Sequence, residues 1–150
     1  RPLKGSIDMP TITVPARIEN LTPTKEYLQA EIPPAFAVQT SNVLLVAEEL
    51  LVNVFSYAYP EGTEGMASVS LETETVDGVE KLLFTVRDWG AAFNPFEEVP
   101  DPDLTLDIDS RPMGGLGIFL IKQVSEAQSW TYEDGSNVIR IRFGATPMPL

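Results

Sequence analysis

The sequence predicts an α+β fold, a two-layer sandwich with helices packed on one face of a mixed, mostly antiparallel sheet. Three observations predict it. Strand-like segments cluster in the middle and at the end of the chain, helix-like segments come from separate places, and the strand pairs are joined by short glycine turns. The 150 residues favour a single domain spanning 1–150, with 1–10 and 145–150 as tails.

The elements follow in order. "MPTITVPA" alternates and is rich in β-formers, so it is a first strand with Pro15 near its end. "NLTPTKEYLQAEIPP" is a short helix that Thr22 would cap, with Pro23 in its first turn and Pro33-Pro34 ending it. A longer helix runs from about Gln39 to Tyr57, with a cap near Thr40 or Ser41. "PEGTEG" is a turn. "MASVSLETETV" and "EKLLFTVRDW" are two strands joined through Asp77-Gly78, a strong hairpin signal. Ala91 to Met113 has no clear period and is expected to be a long loop, and loops of that length in compact domains are usually functional. "GGLGIFLIKQVSEAQ" is a glycine turn followed by a helix whose inward stripe is Ile118, Ile121, Val124 and Ala127. "SWTYED" and "NVIRIRFG" are the last two strands, turning around Gly135-Ser136.

Composition excludes several chemistries. There is no cysteine, hence no disulfide and no thiolate nucleophile or ligand, and no histidine, hence neither the commonest general base nor a phosphohistidine. The net charge of -12 disfavours nucleic acid and anionic membranes and suits basic protein partners or simple solubility. No apolar run of membrane-spanning length is expected, and Arg1 to Pro10 lacks the apolar stretch of a signal peptide, so a cytoplasmic location fits.

The long helix carries an anomaly. "LLVAEELLVNVFSYAYP" is apolar enough for a core, yet Glu49 and Asn53 stand in its middle. With successive residues turning by about 100° and Glu49 set at zero, Asn53 falls at about +40°, Ser56 at about -20° and Asn42 at about +20°. Either this narrow polar line faces solvent between buried flanks, or it lines a pocket whose ligands partner it, because an unpartnered buried carboxylate is very costly. Asn42 lies close enough to the helix start to serve there as a cap.

Two glycine-bearing segments bear on the choice. "VRDWGAAFNP" sets Asp88 at a strand end, where a carboxylate can accept from an amino group, and Gly90 lets backbone pass close to a ligand. "MGGLGIFLI" opens an apolar helix with glycines, and the free amides of a helix N-terminus bind phosphate. It is neither a Walker loop nor a dinucleotide fingerprint.

The order of these parts resembles the ATP-binding domain shared by gyrase, the heat-shock ATPase chaperones, histidine kinases and MutL, the GHKL superfamily with its Bergerat fold. Within that group the chain most resembles the anti-sigma-factor serine/threonine kinases of bacterial partner-switching systems. "EELLVNVFSYAYP" is similar to their asparagine box, "RDWGAAFNP" and "GGLGIFLIKQV" to their two glycine boxes, and "GSNVIRIRF" to their final Gly-Thr-x-Val pattern, so the likeness runs from about Ile12 to Phe143.

The resemblance implies ATP and Mg2+ as ligands. Glu49 would be the general base, Asn53 would coordinate magnesium, Asp88 would bind the adenine amino group, and Gly90 would line the base pocket. Gly115, Leu116 and Gly117 would cradle phosphates, Ser136 would support Asp88 directly or through water, and residues 93–113 would form the lid. The implied partner is a STAS-type anti-anti-sigma protein, with a sigma factor or another protein as client and a homodimer by analogy. The alternative is a nucleotide-gated binding module of the same fold without phosphotransfer. Three departures stand out: Ala92 replaces the second glycine of the first box, the lid is acidic, and no nearby lysine is evident for the γ-phosphate, which leaves Arg111 as the obvious lid candidate.

Overall fold

A computed structural model describes residues 11–98 and 115–149. The expected tail at 1–10 and the lid from residue 99 onward, including Arg111, lie outside the described residues. Five strands form one sheet: β1 (Thr11–Pro15), β2 (Met66–Val76), β3 (Val79–Asp88), β4 (Ala127–Glu133) and β5 (Ser136–Phe143). Their order is β1-β2-β3-β5-β4. Every described pairing is antiparallel, so the mixed sheet expected from sequence is antiparallel throughout these strands.

Two hairpins build most of the sheet. β2 turns into β3 on Asp77-Gly78, where both residues have positive φ (51° and 80°), as a type I′ turn requires. β4 turns into β5 on a second Asp-Gly pair, Asp134-Gly135 (φ 52° and 73°), one residue earlier than the Gly135-Ser136 turn expected. The shift moves each β4–β5 pairing by two positions, so Asn137 lies opposite Tyr132 rather than Asp134 while the face that each residue presents is unchanged. Asn137, Ile139, Ile141 and Phe143 lie opposite Asp88, Val86, Phe84 and Leu82 on the face that meets the helices.

The helices are α1 (Leu21–Glu31), α2 (Thr40–Tyr57), the single turn α3 (Pro95–Glu98) and α4 (Gly115–Val124). α2 is central, packing against α1, α4 and β3. Its buried residues Val43, Val46, Ala47, Leu50, Leu51 and Val54 recur at the three- and four-residue spacing of one helical face. Counted from Glu49 at about 100° per residue, that face spans about +60° to +200°, so the polar line runs along its border. Pro34–Tyr57 is, by length and composition, apolar enough to cross a bilayer, contrary to the sequence expectation. In this fold its apolar residues form the core with Leu71, Phe84, Ile121 and Ile141.

Several local expectations are corrected. Asn20, not Thr22, precedes α1, with no side-chain cap; Thr24 Oγ1 instead donates to Asn20 O at 2.6 Å. Gln39 holds the cap position of α2, while Thr40 Oγ1 donates backwards to Ala37 O. Asn42 is no cap either: its Nδ2 donates to Gln39 Oε1 at 2.9 Å, and Gln39 Nε2 donates to Gly144 O and Thr146 O. These bonds fasten the start of the expected C-terminal tail to α2. α4 ends at Val124, so Ala127 belongs to β4 rather than to the helical stripe. The expected structureless loop contains α3, in which Asn94 Oδ1 accepts from Phe96 N.

Glu126 ties three segments together. It bonds Lys81 of β3 at 2.5 Å and Arg142 of β5 at 2.9 Å, and the lysine foremost holds its carboxyl below the usual value. A depressed folded-state pKa stabilises above the unfolded pKa, and that stability is lost as pH falls through the folded value. Glu126→Gln is therefore expected to lower the melting temperature at neutral pH by about 3 °C, corresponding to roughly 1 kcal/mol. Thermal melts of both proteins should converge as the pH is lowered; a gap that is constant with pH would show that the charge is not the cause.

Candidate active site

A cavity of about 400 Å³ opens where the C-terminal half of α2 crosses the end of β3 and the start of β5. Leu50, Val54, Ala58, Pro95 and Ile139 supply apolar walls, and Asn53, Asp88 and Asn137 supply polar groups. The volume suits a purine-sized ligand with a few convergent polar contacts.

Asp88 is 7% exposed, yet no cation bonds it among the described residues. Its Oδ1 accepts from Gly90 N at 2.9 Å and from Asn137 Nδ2 at 3.0 Å. Both bonds fall on one oxygen, which leaves Oδ2 as an acceptor available to the cavity. This is the donor-seeking edge that an exocyclic amino group would satisfy.

Gly90 does not line the cavity. Its role is close approach: a Cβ there would overlap Ala58 O at the end of α2. Tyr59, just beyond that helix, accepts from Trp89 N at 2.8 Å and donates to Met66 O at 2.5 Å. Residues 88–90 are thus fixed to both α2 and β2. Ala92 lines the cavity and, unlike Asp77 and Asp134, does not have positive φ, so its backbone there needs no glycine.

Glu49 and Asn53 stand one turn apart on α2, both half-buried. Asn53 lines the cavity, whereas Glu49 lies against the first turn of α4, where a Cβ on Gly117 would overlap its Oε2. Burial first, and the neighbouring Glu48 carboxylate second, push the Glu49 pKa above its ordinary value. Gly115, Leu116 and Gly117 form the first turn of α4, and none of them lines the cavity. Ser136 is buried, its hydroxyl donates to Glu133 O at 2.7 Å, closing the β4–β5 turn, and it makes no direct bond to Asp88.

The residue that does support Asp88 is Asn137, which sequence reasoning passed over. Its signal was a polar side chain in phase with the inward Ile139, Ile141 and Phe143. Tyr57 and Phe93 also line the cavity, and both rings are exposed enough to cover a flat base.

The residues fit an adenine nucleotide. Asp88 and the apolar walls suit adenine, Asn53 lines the same cavity, and the first turn of α4 lies beside Glu49. The described residues hold no cluster of three or more Asp, Glu, His or Cys side chains able to bind a metal. Magnesium, which keeps several waters and takes phosphate oxygens, would have Asn53 as its side-chain ligand.

The fold and this arrangement define a class. The chain belongs to the histidine kinase-like ATPase domain family, which matches residues 14–143. It is also similar to the serine/threonine-protein kinase BtrW of Bordetella bronchiseptica, with 26% identity over 103 residues that cover 69% of each chain.

Proposed function

We propose that this domain is an ATP- and magnesium-dependent protein serine kinase that phosphorylates a STAS-type anti-anti-sigma partner, with a sigma factor or another protein as client. The observation that carries the proposal is Glu49. A domain that only bound nucleotide would need Asp88 and the glycine turns but no base, and here a half-buried carboxylate of raised pKa stands one turn before Asn53. The serine hydroxyl would give its proton to Glu49 as its oxygen bonds the γ-phosphorus and the bond to ADP breaks. Asn53 would hold the magnesium that screens the phosphate charge. The similarity to a named serine/threonine kinase supports this reading.

A second reading, a nucleotide-gated binding module, is favoured by the contact of Glu49 with Gly117 outside the cavity lining. Calorimetric titration with ATP, with and without magnesium, followed by phosphate transfer to a STAS-domain protein, separates the two. Magnesium-dependent binding with transfer supports the kinase. Binding without transfer leaves the gated module, and absence of binding removes both.

A further inference from the structure

We infer that Asn137 is the positioning residue that sets the base specificity of the cavity, an inference that rests on the nucleotide reading above. Asn137 is 4% exposed on the inward face of β5, directly across the ladder from Asp88. Its Nδ2 donates to Asp88 Oδ1 at 3.0 Å and to Ala91 O at 2.9 Å. Its Oδ1 accepts from Phe93 N and from Trp130 Nε1, each at 2.9 Å.

Both donors and both lone pairs of the carboxamide are engaged. Its orientation follows from the partners. Turned over, the amide would set its NH2 against two N–H donors and its oxygen against two acceptors, so only one orientation is compatible with the site.

Two consequences meet in the cavity. With Oδ1 of Asp88 held by Asn137 and Gly90, the carboxylate presents a fixed, donor-free edge through Oδ2. Such an edge attracts the exocyclic amino group of adenine and repels the carbonyl at the same position of guanine. The same amide fixes Ala91 and Phe93, which line the cavity. Trp130 of β4 is outside the cavity lining and acts on the base only through Asn137.

Asn137→Ser removes the bonds to Asp88 and Ala91. Trp130→Phe removes one donor from the amide and leaves the cavity lining unchanged. Each would be titrated calorimetrically with ATP and with GTP in the presence of magnesium, alongside thermal melts. Wild type is expected to prefer ATP. Asn137→Ser is expected to weaken ATP binding about 10-fold and GTP binding less than about 3-fold, and Trp130→Phe to lower the ATP-to-GTP ratio by about 3-fold.

A purely structural role would weaken both nucleotides alike; an unchanged ratio in both variants overturns the inference while leaving the nucleotide site standing. If Asn137→Ser does not fold, Trp130→Phe decides alone. Failure of wild type to bind ATP removes the nucleotide reading and this inference with it.

Discussion

Glu49→Gln is expected to lower phosphate transfer to the partner by about 10²- to 10⁴-fold while ATP affinity stays within about 3-fold of wild type. Glutamine keeps the shape and the packing against Gly117 but cannot take the serine proton. ATP affinity is spared because Glu49 is not part of the cavity wall. The pH profile adds a second check. Only the ionised carboxylate is a base, so activity rises with pH, and burial shifts that rise above the pH of an ordinary glutamate. Single-turnover transfer measured across pH tests both statements. Transfer by the Gln variant at near wild-type rates would remove Glu49 from the reaction.

Asp88→Asn should act on binding rather than on chemistry, with ATP affinity falling about 100-fold. The variant's side-chain oxygen can still accept from Gly90 N and Asn137 Nδ2, so the fold has little reason to change. The edge facing the cavity changes from acceptor to donor, and two donors then meet at the adenine amino group. Inosine triphosphate carries a carbonyl at that position and should bind the variant better than ATP does, reversing the wild-type order. Calorimetry with both nucleotides, on a variant whose melting temperature is unchanged, is the measurement. An ATP affinity within about 3-fold of wild type would place the base elsewhere.

Much of this architecture was legible in the sequence because local rules and tertiary packing agree. Asp77-Gly78 formed its hairpin because the pair tolerates the two positive φ values of the turn. The polar line on α2 marked the border between buried and open faces because helical spacing is rigid. Helix starts were less legible. Thr22 and Thr40 are good capping residues, yet the prolines and the turns before each helix moved its start, and both caps were misplaced. α3 was hidden inside an acidic, aperiodic stretch although Asn94 and Pro95 are the residues that open a helical turn. Ser136 drew attention through the resemblance to a Gly-Thr pattern. Asn137 did not, because what distinguishes it is the register of β5 against β3, a pairing between strands distant in the sequence.

The sheet order has a consequence for how the chain closes on itself. β2–β3 and β4–β5 are local pairings, whereas even the nearest partners in β3–β5, Asp88 and Asn137, lie 49 positions apart along the chain. The acidic segment between α3 and α4 lies inside that closure. The entropy of closing a chain loop grows only with the logarithm of its length, so doubling the closure would cost only about 0.6 kcal/mol. Counted as closure entropy alone, a change in the length of that connection costs the pairing of Asp88 with Asn137 little.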